Sequence, residues 1–284
     1  MSSGLATARR SPAPITIRGR NFAWGERTYV IGIINVTPDS FSGDGVTSVE
    51  AAVRQGVEMA AAGADMLDVG GESTRPGGQA ISADEEMARV MPVIERLVRE
   101  IELPLSIDAY KSDVARAALD AGAHLVNDIR GFQADPAMAR LCAERGVPAI
   151  VMHNQRGRPH HDVAGDILAG LRESLAIARE AGLPEELIIV DPGFGFGWEV
   201  EQNIEMLARL PELLELGRPL LVGTSRKSTL GAITGRAVED RLAATAASVA
   251  LSVVGGADLV RVHDVEFMVD VCKVADAVVR RSGR

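Results

Sequence analysis

The sequence predicts an α/β fold of a single domain, a (β/α)8 TIM barrel. Three observations point to it. Eight short apolar runs alternate with longer segments of helical periodicity, a glycine-containing unit recurs at the end of three helices, and polar residues follow nearly every apolar run. The chain has 284 residues, of which 46% are hydrophobic and 24% charged, so it can bury a large core.

The predicted strands are the apolar runs. They cover residues 29–34, 66–69, 105–107, 125–126, 149–152, 188–190, 219–222 and 259–262. Apolar runs without alternation are typical of parallel strands that helices cover on both faces. Eight such units in one chain match a closed barrel, whose active sites lie at the carboxyl ends of the strands.

The segments between the strands carry helix start signals. Residues 47–50 (TSVE) and 82–85 (SADE) fit a capping box, in which side chains satisfy free amide groups of the first turn. Asp135 followed by Pro136 fits an N-cap with proline in the first turn. Between residues 87 and 101, apolar residues recur at steps of three and four, which predicts a helix with one buried face.

A repeated unit supports the barrel over other α/β folds. Gly63, Gly122 and Gly256 each end a predicted helix, where glycine tolerates a left-handed conformation, and each precedes a predicted strand. A polar residue follows each glycine by five positions, and these residues are Asp68, Asn127 and Arg261. An open doubly wound sheet is the alternative, but no Gly-x-Gly-x-x-Gly turn follows the first strand, and residues 193–197 (GFGFG) lack that spacing.

Composition excludes several classes of protein. A net charge of -9 argues against nucleic acid as a partner, because binding to phosphate backbones needs clustered cations. The longest uncharged stretch, residues 242–257, is too short and too polar for a membrane span and is interpreted as a buried helix. Cys142 and Cys272 are expected to be buried and reduced, which fits a cytoplasmic protein. Residues 1–14 are interpreted as a disordered extension before the domain at 15–284, with a targeting peptide as the alternative.

Polar residues collect at the predicted carboxyl ends of the strands. They are Asn35, Asp68, Glu72, Asp108, Asn127, Asp128, His153, Asp191, Ser225, Lys227, Arg261 and His263. Each alone has an ordinary structural explanation, such as a turn or a cap. Together they indicate a site, because structural positions inside a barrel are mainly filled by branched apolar side chains.

The chemistry of this set suggests the ligand. Asp108, Asn127 and Asp191 offer acceptors and an amide that suit a flat heterocycle with several N–H groups. Lys227, Arg261 and His263 are expected to form a cationic group apart from the carboxylates, as a diphosphate would require. Asn35 offers a side-chain oxygen and is expected to help hold a Mg2+ ion that bridges such a diphosphate. Cys–His spacing typical of a zinc site is absent from the sequence.

Six motifs, in order along the chain, resemble the dihydropteroate synthases. They are INVTPDSFS at 34–42, DVGGESTRPG at 68–77, NDI at 127–129, DPGFGFG at 191–197, SRKS at 225–228 and RVHDV at 261–265. The resemblance covers residues 15–280 and implies condensation of 6-hydroxymethyl-7,8-dihydropterin diphosphate with p-aminobenzoate, giving 7,8-dihydropteroate and pyrophosphate for folate biosynthesis. It also implies Mg2+ as cofactor, sulfonamide inhibition and a cytoplasmic homodimer with small-molecule substrates.

The resemblance further implies residue roles. The residues implied to hold the pterin ring are Asp108, Asn127, Ile129, Met152, Asp191 and Lys227, and Asp68 would support them from below. The diphosphate residues are Asn35, Arg261 and His263, of which Asn35 also binds the metal. The p-aminobenzoate residues are Thr74, Arg75, Pro76, Phe196 and Ser225, with Lys227 between the two substrates. The catalytic residues are Asp108, Lys227, Arg261 and His263, and Arg226 is expected to be structural.

The sequence departs from the family pattern in a few places. Ala109 follows Asp108 where threonine is common, and Trp198 stands where lysine is usual, which puts the response to inhibitors in doubt. Residues 154–162 are interpreted as a mobile, solvated loop, and segments 36–45 and 72–79 as lids over the site. Pterin-binding methyltransferases and a pterin-binding protein without catalysis are the alternative functions; intact Asp108, Lys227 and Arg261 argue against the second.

Overall fold

The computed structural model describes residues 12–36, 48–73 and 80–280. Ten strands are described: β1 Ile15–Ile17, β2 Arg20–Phe22, β3 Tyr29–Asn35, β4 Met66–Gly70, β5 Leu105–Asp108, β6 Leu125–Asp128, β7 Ala149–Met152, β8 Ile188–Asp191, β9 Leu221–Val222 and β10 Leu259–Val262. The α-helices in these ranges are α1 Ser48–Ala61, α2 Ala83–Glu100, α3 Ser112–Asp120, α4 Pro136–Arg145, α5 Val163–Glu180, α6 Val200–Arg209, α7 Ser228–Thr234, α8 Leu242–Val254 and α9 Val265–Val279.

Strands β3 to β10 form one parallel barrel. Their order is β8-β7-β6-β5-β4-β3-β10-β9, and a parallel bridge between Val190 and Leu220 joins the two outer strands. The amide of Val190 donates to the carbonyl of Pro219 at 2.9 Å across this seam. The predicted (β/α)8 barrel is confirmed, and each of its strands begins and ends within two residues of the predicted run.

Local signals in the sequence explain the helix ends. The Ser82 hydroxyl accepts from the amide of Glu85 at 3.1 Å, and the Asp135 carboxylate accepts from the amide of Ala137 at 2.9 Å. Gly63, Gly122 and Gly256 have φ values of 97°, 105° and 98°, so the left-handed turns predicted there are confirmed. The predicted cap at Thr47 lies outside the described residues.

A hairpin of β1 and β2, which was not predicted from the sequence, closes the amino-terminal end of the barrel. Its turn has two consecutive residues with positive φ, Arg18 at 48° and Gly19 at 72°. Apolar side chains of this region pack in one cluster with residues from inside the barrel; they are Ile15, Ile17, Phe22, Trp24, Tyr29, Ile31, Met66, Leu125, Ile150, Ile189, Leu221 and Leu259. The opposite end of the barrel is the one available to ligands.

The interpretation of residues 242–257 as a buried helix is wrong in part. Helix α8 does form there and buries Val249 and Val253, but Leu251 is 57% exposed and Val254 is 52% exposed. Cys142 and Cys272 are buried free thiols, as predicted. No helix in the described part of the chain is long and apolar enough to cross a membrane. Of the predicted extension at 1–14, residues 1–11 lie outside the described residues.

Candidate active site at the carboxyl ends of the strands

Four side chains from four strands form one hydrogen-bonded network at the carboxyl-terminal end of the barrel. Arg261 on β10 donates from Nε to Oδ2 of Asp68 at 2.6 Å and from a terminal nitrogen to Oδ2 of Asp108 at 2.7 Å. Asn127 donates from Nδ2 to the same oxygen of Asp68 at 2.8 Å. Asp68 is fully buried, so it supports Arg261 and Asn127 from inside the barrel.

This network contradicts the predicted separation of cations and carboxylates. The Arg261 guanidinium reaches from β10 past β3 to contact carboxylates on β4 and β5. The physical reason is burial, because a charged group removed from water requires a partner of opposite charge. Strand order alone does not reveal how far a long side chain extends across the end of a barrel.

Burial shifts the pKa values of the ionisable groups at this end. Burial, together with the charge of Asp68, raises the pKa of Asp108 to about 7, although Arg261 opposes this rise. Burial also raises the pKa of Asp191, and the nearby ammonium of Lys227 limits the rise. The pKa of Lys227 is lowered to about 8 by burial, despite the charge of Asp191. Strongly perturbed groups from several strands at one end of a barrel are typical of an active site.

The turn after β8 fixes Asp191 and brings Phe196 to the same end. Oδ1 of Asp191 accepts from the amide of Gly193 at 2.8 Å, and the amide of Phe196 donates to the carbonyl of Gly193 at 2.9 Å. Gly193 has a φ of 77°, and a Cβ there would lie 1.9 Å from the carbonyl oxygen of His153. Only glycine fits here, because the turn is left-handed and lies against the loop that follows β7.

Lys227 lies across this turn. Its ammonium donates to the carbonyl of Phe194 and lies 4.6 Å from the centre of the Phe196 ring. The guanidinium of Arg156 lies 4.8 Å from the same ring centre. Phe196 therefore contacts two cations, and one of them, Arg156, was not a predicted site residue.

Ser225 and His263 contact each other directly. The Ser225 hydroxyl and Nδ1 of His263 are 3.0 Å apart, and the amide of His263 donates to the same hydroxyl at 3.2 Å. Ser225, predicted to bind p-aminobenzoate, is thus a neighbour of His263, predicted to bind the diphosphate. Arg226 forms an ion pair with Asp264 and has a left-handed φ of 57°, contacts that fit the structural role predicted for it.

An apolar wall completes the described part of the site. Ile129, Met152 and Phe196 form one cluster, and Tyr110 packs against it. Residues at or after the ends of β5, β6, β7 and β8 therefore meet in this wall. Ile129, Met152 and Phe196 were predicted site residues, but Tyr110 was not, because an aromatic residue next to a lysine carries no signal of its own.

The interpretation of residues 154–162 as a solvated loop holds for its second part alone. Residues 157–162 are exposed, but Asn154 and Gln155 are buried. Oε1 of Gln155 lies 2.8 Å from Nε2 of His153, and the backbone N–H of Gln155 donates to the carbonyl of Phe196 at 3.0 Å. Trp198 is buried beside the rings of His153 and His160, so it packs into this loop and is not exposed at the mouth of the site.

Some predicted site residues cannot be located. Thr74, Arg75 and Pro76 lie outside the described residues, as do most of the two predicted lid segments. Asn35, at the end of β3 opposite Gly70, is described and partly buried. In the described ranges, no three His, Cys, Asp or Glu side chains are grouped so that they could hold a metal ion.

The sequence is similar to those of known enzymes over most of its length. Residues 31–263 match the family model for pterin binding enzymes. Dihydropteroate synthase of Clostridium beijerinckii is 45% identical over 93% of this chain and 99% of its own length, and that of Bacillus subtilis is 45% identical over 92% of each. The chain belongs to the dihydropteroate synthases. The reaction expected from the sequence, the joining of a pterin diphosphate to p-aminobenzoate, is the reaction of this family.

Solved structures of dihydropteroate synthases agree with the fold. The enzyme of Xanthomonas albilineans with 4-aminobenzoic acid has a TM-score of 0.89 and 45% identity, and covers 94% of this chain and 98% of its own. The same enzyme in complex with 7,8-dihydropteroate has a TM-score of 0.86, 43% identity and the same coverage of both chains. Both matches cover nearly the whole chain, so this barrel has the fold of the solved dihydropteroate synthases.

Proposed function

We propose that this dihydropteroate synthase barrel carries out its reaction at the rim formed by Asp108, Asn127, Asp191 and Lys227. The observation that carries the proposal is the convergence of hydrogen-bonding side chains from β5, β6 and β8 beside the partly buried ammonium of Lys227. These groups suit the donors and carbonyl of a flat pterin ring. The bound 7,8-dihydropteroate in the Xanthomonas albilineans enzyme supports this choice of ligand.

In this proposal the pterin ring lies against Ile129 and Met152, and its polar edge meets Asp191, Asn127 and Asp108. Asp191 is 8% exposed and Asn127 is 4% exposed, so ligand groups that pair with them replace few water contacts. Asp68 holds Asn127 and Arg261 in place through the bonds described above. A buried acceptor on β8 and a buried amide on β6 give the ring one orientation.

The diphosphate is proposed to bind at Arg261 and His263. Arg261 would leave Asp108 for the incoming phosphates, because a guanidinium binds a phosphate in the same two-pronged manner as a carboxylate. The fit of Mg2+ rests on Asn35, whose side-chain oxygen is a suitable ligand, while diphosphate oxygens and water would complete the shell. When bound, the ion would neutralise charge on the leaving diphosphate.

The p-aminobenzoate is proposed to bind beside Phe196 and Ser225, with Thr74, Arg75 and Pro76 completing its site. Lys227 contacts the Phe196 ring, and the charges of Lys227 and Asp191 influence each other's pKa. In this proposal Lys227 therefore stands between the two substrates. The complex of the Xanthomonas albilineans enzyme with 4-aminobenzoic acid supports this class of second substrate.

One carbon–oxygen bond breaks and one carbon–nitrogen bond forms in the proposed reaction. The pterin methylene carbon loses the diphosphate, which keeps the bonding electron pair, and the aryl amine then attacks that carbon and releases a proton. Asp108 would stabilise positive charge that develops on the pterin, while Arg261 and His263 would stabilise charge on the diphosphate. No covalent bond to the protein is required.

A pyrophosphate-release assay tests the proposal. With both substrates and Mg2+, the protein should release pyrophosphate and form 7,8-dihydropteroate, and omission of p-aminobenzoate should abolish product formation. Binding of the pterin diphosphate without turnover would support the protein without catalysis, and methyl transfer to a cobalt cofactor would support the methyltransferase alternative. Either result would overturn the proposal.

We also propose that the chain acts as a cytoplasmic homodimer that pairs through α8 and α9. Of the nine large apolar side chains that are exposed in the described ranges, six lie on these helices: Leu251, Val254, Phe267, Val274, Val278 and Val279. Because α8 and α9 pack against each other, exposed apolar side chains on both favour a self-complementary contact with a second copy. Val274→Asp should shift sedimentation from dimer to monomer; a parent protein that is already monomeric would overturn the idea.

A further inference from the structure

Tyr110 is the one member of the apolar wall whose position depends on a polar network. Its hydroxyl donates to Oε1 of Glu72 at 2.9 Å. The ammonium of Lys111 donates to Oε2 of Glu72 at 2.6 Å and to Oε2 of Glu86 at 2.7 Å. The Lys111 side chain therefore links the segment after β5, to which it belongs, with the segment after β4 and with helix α2.

Burial makes this network a strong constraint. The Glu86 side chain is 1% exposed, that of Glu72 is 11% exposed and that of Lys111 is 20% exposed. Burial raises the pKa of Glu86, and the Lys111 ammonium opposes this rise. An ion network that is shielded from water favours one geometry, since each group that leaves it abandons a charged partner.

The network fixes a ring in the wall of the active site. Tyr110 follows Asp108 by two residues and packs against the cluster of Ile129, Met152 and Phe196. The other three members of the wall already have proposed substrate contacts, and each lies at or after the end of a different strand. Tyr110 comes from a fourth strand end. The Lys111 ammonium also lies 4.5 Å from the centre of the Tyr110 ring, which further restricts the ring.

We propose that Tyr110 is a further residue that contacts the pterin ring, and that Lys111 is a positioning residue that holds Tyr110 through Glu72. The inference rests on the proposed function. An aromatic side chain beside a planar heterocycle gains contact area and ring-to-ring attraction. The pterin is the expected partner because Ile129 and Met152 are in the same cluster and Asp108 precedes Tyr110 on the same strand end.

Calorimetric titration with the pterin diphosphate tests the first half of the proposal. Tyr110→Leu should raise Kd for the pterin diphosphate about threefold to tenfold, the range of an aromatic pair, and should leave KM for p-aminobenzoate unchanged. An unchanged Kd would overturn the proposal, as would a rise confined to KM for p-aminobenzoate. A parent protein that does not bind the pterin diphosphate would instead contradict the proposed function.

Lys111 variants test the positioning role. Lys111→Met should weaken pterin binding, Lys111→Arg should restore most of it, and Tyr110→Leu should add no further loss in the Lys111→Met background. Arg89→Met is the matched control, because the Arg89 side chain is 22% exposed and donates to the carbonyl of Gly71 at 2.9 Å without contacting Tyr110. Equal loss of pterin affinity in the two methionine variants would show that stability alone is affected and would overturn the positioning role. Full additivity of the Lys111 and Tyr110 changes would overturn it as well.

Discussion

Replacement of Arg261 by methionine tests the electrostatic core of the site. In the folded protein, this guanidinium bonds to Asp68 at 2.6 Å and to Asp108 at 2.7 Å, and these carboxylates are 0% and 10% exposed. Removal of one partner from a buried ion pair typically costs about 3–5 kcal/mol. We expect Arg261→Met to lower the free energy of unfolding by about 3 kcal/mol at pH 8, the lower end of that range. The loss is at the lower end because Asp68 keeps its bond from Asn127 and Asp108 can take up a proton.

The loss of stability should depend on pH in a defined direction. The pKa of Asp108 in the folded protein is already about 7, above the ordinary value of 3.8, so the folded state binds more protons between these values and its stability falls as pH rises through them. Arg261 lowers this pKa. Without the guanidinium the pKa rises further, so the difference between parent and Arg261→Met should be larger at pH 8 than at pH 6.

Urea unfolding at pH 6 and pH 8 measures both effects. Arg226→Met is the control, since Arg226 pairs with Asp264 at the partly exposed surface, where an ion pair contributes about 1 kcal/mol or less. Asp108→Asn in the Arg261→Met background should recover part of the lost stability because it removes the unpaired charge. The reasoning is refuted if Arg261→Met costs no more than Arg226→Met, or if its cost is the same at both pH values.

Three further predictions concern the ring site, the turn after β8 and the order of binding. Asp191→Asn should weaken pterin binding by about 1–3 kcal/mol in calorimetry, because a buried amide donor would face a ring donor, while p-aminobenzoate affinity should change little. Gly193→Ala should abolish the cooperative thermal transition, whereas Gly182→Ala, with a similar φ of 78° and no atom within 4 Å of its Cβ, should cost about 1–2 kcal/mol. Titration should show that pyrophosphate and Mg2+ raise the affinity for p-aminobenzoate, which should be low without them. Folded Arg261→Ala should show no such rise. Equal affinities under all conditions would rule out ordered binding.

The sequence predicted the barrel well because its signals are local. Apolar runs located the strands, and Gly63, Gly122 and Gly256 marked the helix ends that lead into three of them. The hairpin of β1 and β2 was missed because three-residue strands show no periodicity. The exposed side of α8 was missed because apolar composition does not reveal which residues face outward.

The sequence predicted which residues meet at the rim better than it predicted how they pair. Polar residues after successive strands do converge, since parallel strands of a barrel end on one side. The bridge from Arg261 to Asp68 and Asp108 could not be predicted, because it depends on the reach of a long side chain across β3. The place of Tyr110 in the wall likewise depends on Glu72 and Lys111, which are brought together by tertiary packing.

A crystal structure of this protein with 7,8-dihydropteroate tests the central claim most directly. We expect the pterin ring within hydrogen-bonding distance of Asp108, Asn127 and Asp191, with the aryl ring against Phe196 and Lys227 between the two halves. Arg261 should still contact Asp68. Product bound away from the rim, or bound at the rim with the pterin away from Asp191, would contradict the proposed site.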